Sequence, residues 1–222
     1  MNKLIIFDMD GTTLDTLGYT IDVMNASLLN KGYKALEDIV YKRLLGAGVA
    51  VMAKKLLEIV NPDYEKNEEA ELIQEIMLNA VKWDEFRDIE VFPYIEKFLP
   101  WCQENNIKLA VLSNTPHKLT QILCSKCLPD CFEVVMGEGE VKKKPSSEGI
   151  EKICQMCNTR KEQTLLIGDT IVDMQTAANS GVGFVGVTWG CLSIEAWEQQ
   201  NVKAVATDGE TLKNRVADYF DI

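Results

Sequence analysis

Two pairs of aspartates stand at spacings that can do chemistry. Asp8 and Asp10 lie two apart in Phe7-Asp8-Met9-Asp10-Gly11-Thr12, and Asp169 and Asp173 lie four apart in Gly168-Asp169-Thr170-Ile171-Val172-Asp173. Residues two apart on an extended segment face the same way, and Gly11 permits a tight turn directly after them. Carboxylates crowded at one place repel each other unless a cation sits between them. Hard oxygen ligands that leave room for water suit Mg²⁺. Taken alone, Asp8-Met9-Asp10-Gly11 reads equally well as a surface turn. The case for a site depends on what else the fold delivers to the same place.

Four short apolar runs, residues 4–7, 109–112, 165–167 and 184–187, read as buried strands, with weaker candidates at 132–136 and 204–206. Helical patterns at 116–127, 146–157 and 172–179 separate them, and a last helix covers 210–220. Strands alternating with helices imply a parallel sheet with right-handed crossovers. In such a sheet ligands bind beyond the carboxyl ends of the strands. The first run ends at Asp8, the second at Ser113-Asn114-Thr115 and the third at Asp169, so acids and hydroxyls gather at one edge. Lys144-Pro145 comes just before the helix that leads into the third strand.

One spacing is anomalous. Roughly 100 residues separate Asp8 from Lys108, far more than one crossover helix needs. The segment has helical periodicity throughout. Ile21, Met24, Leu28 and Leu29 make one stripe, Val51, Leu56, Ile59 and Val60 a second, and Leu72, Ile76, Ala80 and Val81 a third. The expected architecture is α/β: a Rossmann-like parallel sheet core, residues 1–15 and 87–222, with an inserted α-helical cap domain at 16–86. Residues 90–93 return the chain to the sheet.

Composition narrows the function classes. The chain has 222 residues, 46% hydrophobic and 26% charged, and a net charge of −11. That is an ordinary globular composition. No apolar run approaches a membrane span, and the N-terminal run at 4–7 is too short for a signal peptide. A duplex-binding protein shows a basic face, whereas the one dense basic run here is Lys142-Lys143-Lys144. The expectation is a cytoplasmic protein with a small-molecule partner and neither nucleic acid nor membrane. The seven cysteines include Cys124-Ser-Lys-Cys127 and Cys154-Gln-Met-Cys157. Zinc is one reading of such pairs. Their helical surroundings favour thiols packed as small hydrophobes.

The motifs together resemble a known family. Phe7-Asp8-Met9-Asp10-Gly11-Thr12-Thr13-Leu14-Asp15-Thr16 resembles the first motif of the haloacid-dehalogenase-like superfamily of phosphotransferases. Leu112-Ser113-Asn114-Thr115 looks like its second motif, Lys144-Pro145 its third, and Gly168 to Asp173 its fourth, all in the expected order. The likeness to phosphoglycolate phosphatases extends to Arg43-Leu44-Leu45-Gly46-Ala47-Gly48 and to Val187-Thr188-Trp189-Gly190. Two departures stand out: Thr13 where an apolar residue is usual, and Ser147 where a second proline often follows Pro145.

The resemblance implies roles. Asp8 is the nucleophile that forms an aspartyl phosphate, and Asp10 is the general acid and then the base. Mg²⁺ is held by Asp8, the Asp10 carbonyl and Asp169, with Asp173 assisting directly or through water. Thr12, Ser113, Asn114 and Lys144 bind the phosphoryl group, Asn114 through its backbone N–H. Arg43, with the turn at residues 46–48, reads equally as a contact for the remote end of the substrate and as a solvated helix arginine. The substrate is a small phosphomonoester of phosphoglycolate type, and the enzyme a monomer or homodimer. A sugar-phosphate mutase (beta-phosphoglucomutase-like) is the alternative. Those mutases resemble this chain in the four motifs but carry a His in the hinge, which here reads Thr16-Leu17-Gly18-Tyr19-Thr20. A non-catalytic binding module is disfavoured by the retained acids and lysine. His117, the single histidine, reads as a surface residue at a helix start, and Asp15 as a helix-starting or loop-orienting carboxylate.

Overall fold

The computed structural model describes residues 2–82 and 87–222. Strand β1 (Lys3–Phe7) buries Leu4, Ile5, Ile6 and Phe7 completely. Such an unbroken apolar run is what a strand covered on both faces requires. A tight turn follows, in which the Leu14 amide returns to the Met9 carbonyl at 3.0 Å, and a two-residue strand β2 (Leu14–Asp15) leads out of the core.

Four helices come next: α1 (Leu17–Asn30), α2 (Asp38–Lys42), α3 (Val49–Val60) and α4 (Lys66–Asn79). Helix α4 packs on both α1 and α3. The expected stripes bury Ile21, Met24, Leu28, Leu56, Leu72, Ile76 and Ala80, but Leu29, Ile59 and Val81 are each at least half exposed. Val81 lies past the end of α4, and Leu29 and Ile59 fall on the solvent sides of α1 and α3. The chain returns through β3 (Glu90–Val91), which pairs antiparallel with β2 at Leu14↔Val91 and Asp15↔Glu90. The two connections to the helical insertion are thus hydrogen-bonded to each other. The expected domain boundary at Phe86 falls outside the described residues.

The core continues with α5 (Pro93–Glu104), β4 (Ile107–Pro116), α6 (His117–Cys127), β5 (Val134–Glu138), α7 (Glu148–Met156), β6 (Thr164–Gly168), α8 (Ile171–Ser180), β7 (Gly183–Val187), α9 (Ile194–Gln199), β8 (Val205–Ala206) and α10 (Gly209–Phe220). Helix α5 has no counterpart in the sequence reading, although Ile95, Phe98, Leu99 and Cys102 repeat at helical spacing and are buried. The six strands order as β5-β4-β1-β6-β7-β8, every neighbouring pair parallel. Alternate residues serve opposite faces: Ile5 and Phe7 join one apolar cluster, Leu4 and Ile6 the other. The first cluster also takes in the buried residues of the insertion.

Strand β1 lies between β4 and β6, with Phe7 level with Val111 and Ile167. The chain winds outward from it in both directions, so a crevice opens beyond its carboxyl end. Asp8 is the first residue past that end.

Candidate active site

Asp8 is fixed at the strand end by its own amide, which donates to the Ile167 carbonyl at 2.9 Å. Its Oδ1 accepts from the Met9 amide at 2.7 Å and from Lys144 Nζ at 2.7 Å. Lys144 Nζ also donates to Asp173 Oδ1 at 2.6 Å. Asp173 stands in the first turn of α8, its Oδ2 held by the Thr170 amide at 3.1 Å and the Thr170 hydroxyl at 2.5 Å. This reciprocal cap is a helix-start device that also aims the carboxylate at Lys144. Asp169, at the end of β6, accepts from the Thr12 hydroxyl at 2.9 Å and from the Cys191 amide at 2.8 Å.

All four charged groups are buried: Asp8 and Lys144 are 2% and 4% exposed, Asp169 and Asp173 not at all. Oxygens of the three carboxylates lie within 4.8 Å of one another. Burial pushes the Asp8 carboxyl well above the usual carboxylate range, reinforced by the Asp173 charge and opposed by Lys144. Burial and then Asp173 push Asp169 up to about 6. Burial works against the Lys144 charge, but Asp173 and Asp8 together hold its pKa above the ordinary lysine value. Three carboxylates against one ammonium leave two negative charges uncompensated, and a divalent cation balances them. The donors are all carboxylate oxygens, the set that Mg²⁺ takes. Where such an ion binds, it supplies charge neutralisation between an anionic nucleophile and an anionic substrate.

Asp10 lies on the crevice side of the turn. Its Oδ1 accepts from the Thr16 hydroxyl at 2.8 Å, and its Oδ2 from Ser113 at 3.1 Å and Thr115 at 2.8 Å. Three hydroxyls from two chain segments therefore set its direction. Ser113 in turn accepts from the Thr115 amide at 2.9 Å. The Asn114 side chain holds Lys144 in place: its Oδ1 accepts from the Lys144 amide at 2.7 Å and its Nδ2 donates to the Lys144 carbonyl at 3.2 Å. The same Nδ2 donates to the Gly46 carbonyl of the insertion at 3.0 Å. The peptide bond from Lys144 to Pro145 is cis.

Eight of the nine residues expected at the site are gathered here, two of them in roles the sequence reading did not assign. The Thr12 hydroxyl faces Asp169 and the residue is fully buried, so its side chain orients a carboxylate instead of meeting phosphate. Asn114 works through its amide side chain as a brace for Lys144. Arg43, the ninth, is exposed at the C-terminal end of α2 and is not among the residues that line the crevice. Of the two readings of Arg43 the exposed position matches the solvated arginine, since nothing in the sequence indicates which way such a side chain leaves its helix. The turn beside it does reach the core. Gly46 and Gly48 have positive φ values of 77° and 83°, where only glycine is comfortable. A Cβ on Gly48 would come within 3.2 Å of the Asn114 carbonyl.

Several participants were missed. Thr16 and Thr115 bond Asp10, and the only signal was a hydroxyl residue beside each motif. The Cys191 contact comes from a backbone amide and leaves no trace in residue type. Gly190 does leave one: a Cβ there would lie 2.2 Å from the Gly11 carbonyl and 2.3 Å from Asp169 Oδ2. Trp189 Nε1 donates to the Thr12 carbonyl at 3.0 Å and so ties this segment to the first motif. The Thr13 hydroxyl, in a fully buried site, donates to the Met9 carbonyl at 3.1 Å, which satisfies it. His117 is half-buried, and its Nδ1 accepts from the Gly137 amide at 3.3 Å. Cys124 and Cys127 lie on α6, and Cys154 and Cys157 at the end of α7, as their surroundings imply.

Comparison with known proteins decides the family. The model of the haloacid dehalogenase-like hydrolases matches residues 5–187. The chain belongs to that family. Among this hydrolase's curated relatives is the phosphoglycolate phosphatase of Photorhabdus laumondii, 26% identical over 219 residues that cover 96% of this chain and 92% of the relative. The phosphoglycolate phosphatase of Pseudomonas syringae pv. syringae is 29% identical over 196 residues, covering 85% and 70%. The crystal structure of a predicted phosphoglycolate phosphatase from Haemophilus somnus superposes with a TM-score of 0.87 at 20% identity, over 96% and 97% of the two chains. A beta-phosphoglucomutase from Clostridium difficile superposes with a TM-score of 0.76 at 19% identity over the whole of both. At these identities the two structures speak for the fold alone.

Proposed function

We propose that this hydrolase is a Mg²⁺-dependent phosphatase that hydrolyses a small phosphomonoester through an aspartyl phosphate on Asp8. The reading is supported above all by Asp8 at the strand end, paired with Lys144 and flanked by Asp10 across the turn. Asp8 Oδ1 is engaged by Lys144 and the Met9 amide, which leaves Oδ2 to attack phosphorus. The bond from phosphorus to the ester oxygen breaks as the new one forms, and Asp10 delivers a proton to the departing alkoxide. Asp10 then takes a proton from the water that attacks the acyl phosphate, releasing phosphate and free Asp8. Lys144 balances charge on the equatorial phosphoryl oxygens, and the Ser113 hydroxyl, which donates to Asp10 in this structure, turns to donate to one of them when substrate binds. Asp8, the Asp10 carbonyl and Asp169 would hold the Mg²⁺ ion. Asp173, whose oxygens accept from Lys144 and Thr170, would assist the ion directly or through water and holds Lys144 in place.

On this reading residues 16–86 act as a cap that hinges on the paired β2 and β3 segments and shields the acyl phosphate from bulk water. Phosphoglycolate, the substrate named for the curated relatives, is the first candidate to assay. The mutase reading lacks support in the hinge, where Tyr19 lines the crevice and no histidine occurs. Seven cysteines without a disulfide among the described residues suit a reducing, cytoplasmic setting. The test is Asp8→Asn. The amide keeps the shape but cannot attack phosphorus, so turnover of para-nitrophenyl phosphate with Mg²⁺ should vanish while the melting temperature persists. Substantial turnover by the purified variant removes the aspartyl-phosphate mechanism.

A further inference from the structure

The crevice above Asp8 and Asp10 runs back between the helical insertion and α6. Its floor is polar: Asp8, Asp10, Ser113, Asn114 and Thr115. Its walls are not. Val23 and Met24 of α1, Met52 of α3, Ile76 of α4, and Leu119 and Leu123 of α6 face it, and each is at most 6% exposed. No Lys, Arg or His is among the lining residues. The nearest cation to the floor, Lys144, is committed to Asp8 and Asp173 at 2.7 Å and 2.6 Å. On the walls the Tyr19 hydroxyl gives its proton to the Ala80 carbonyl. Arg43, the cation expected to meet a substrate's distant charge, stands outside.

We propose that this crevice selects phosphomonoesters with an uncharged, apolar leaving group and disfavours short esters that carry a second negative charge. The proposal rests on the phosphatase reading above and goes on to name the substrate class. A carboxylate on the leaving group would enter an apolar slot with no cation to pair it, beside the Asp10 carboxylate. A buried charge is tolerated only when it is paired and hydrogen-bonded. An alkyl or aryl group meets walls that are already desolvated, and gains from every CH₂ it removes from water. The family relatives' named substrate bears just such a carboxylate, and at 26% identity the walls are free to differ.

The experiment is phosphate release by the wild-type enzyme with Mg²⁺, comparing kcat/KM for 2-phosphoglycolate with a series of n-alkyl monophosphates from ethyl to hexyl. The leaving alcohols of the series are chemically alike, so a trend in it reads contact with the walls. The expected result is a rise of about tenfold or more from ethyl to hexyl, a modest gain per CH₂ for an apolar pocket, with 2-phosphoglycolate below ethyl phosphate. A flat series, or 2-phosphoglycolate hydrolysed better than every alkyl ester, overturns the proposal and leaves the phosphatase intact. No release from any ester, para-nitrophenyl phosphate included, sinks the phosphatase reading and the selectivity with it. Met52→Lys supplies a second reading by placing a cation in the wall. It should move the ratio of 2-phosphoglycolate to hexyl phosphate toward the acid by about tenfold. Both substrates are measured on one preparation, so a loss of folded protein cancels from the ratio. An unchanged ratio would mean that the wall does not meet the leaving group.

Discussion

Replacing Lys144 by Met removes the only side-chain cation among the described residues within bonding distance of Asp8 and Asp173, at 2.7 Å and 2.6 Å, and puts a side chain of similar length in its place. At an effective dielectric of about 20, a unit-charge pair at this distance attracts by roughly 6 kcal/mol. Desolvation of the buried groups offsets most of that, and breaking such a pair typically costs about 3–5 kcal/mol, because the partner charge is left uncompensated. The size of the effect must depend on pH. Burial already holds Asp8 and Asp169 above the usual carboxylate range, Asp169 at about 6. Without Lys144 the Asp8 carboxyl loses the charge that holds it down and rises further, so the folded state binds more protons than the unfolded state. Stability then falls as pH rises through those values. The deficit of Lys144→Met against wild type should be small at pH 5 and reach several kcal/mol at pH 8.

Urea denaturation without metal at pH 5, 6, 7 and 8 measures that deficit. Adding Mg²⁺ at pH 8 should recover much of it, since a divalent cation replaces the missing charge among the same carboxylates. Activity should not recover, because the ion does not replace the lysine's own charge on the equatorial phosphoryl oxygens. A lost charge-assisted contact of about 1.5–3 kcal/mol lowers kcat/KM about ten- to a hundredfold. An equal urea midpoint for variant and wild type across this pH range would refute the reasoning. It would mean that the carboxylates and Lys144 are not one electrostatic unit.

Phosphate release should require Mg²⁺ and be inhibited by Ca²⁺, which is larger, takes more ligands and can tie up both Asp8 oxygens; full activity after exhaustive chelation would contradict this. In thermal melts of the wild type, the gain on adding Mg²⁺ should grow from pH 5 to pH 7.5, as protons leave Asp169 near pH 6 and stop competing with the ion. Burial raises the thiol pKa of Cys102 and of Cys154, so both should alkylate slowly in the native protein and all seven cysteines only in denaturant. Elemental analysis showing about one zinc per chain, lost when Cys124 and Cys157 are replaced together, would overturn the reading of these thiols as packing groups. Arg43→Ala should change kcat/KM for 2-phosphoglycolate and para-nitrophenyl phosphate by the same small factor, because Arg43 is exposed and off the crevice; a loss confined to the acid would bring Arg43 back to the substrate.

How far the sequence could be read follows from what each feature depends on. Residues 4–7 and 165–167 were recognisable as strands because a strand covered on both faces must be apolar throughout. Their ends were recognisable as a site because a parallel sheet presents ligands there. β4 proved longer, at Ile107–Pro116, since its last residues carry hydroxyls and an amide that serve the site and break the apolar pattern. β5 lies at Val134–Glu138, two residues past the expected start, for Phe132 packs against the core without joining the ladder. Strand order has no local signature. The bonds from Thr16 and Thr115 to Asp10, and from the Cys191 amide to Asp169, join segments between about six and a hundred residues apart. Only the folded chain brings them together. Gly190 was visible in the sequence, but its reason is the 2.2 Å that a Cβ would leave to the Gly11 carbonyl.

Asn114 joins the two halves of the molecule. Its side chain braces the Lys144 backbone on both sides and, from the same nitrogen, bonds the Gly46 carbonyl of the insertion. One amide Nδ2 has two hydrogens, so both bonds can be made at once. They are complete only when the turn at residues 46–48 is seated on the sheet edge. Gly48 permits that seating, since its own position leaves 3.2 Å between a would-be Cβ and the Asn114 carbonyl. The arrangement that brings the apolar walls over Asp8 is therefore the one in which the brace on Lys144 is also tied to the insertion. Selectivity and charge placement are coupled through one side chain, which explains why a residue with no proton to transfer occupies the centre of the second motif.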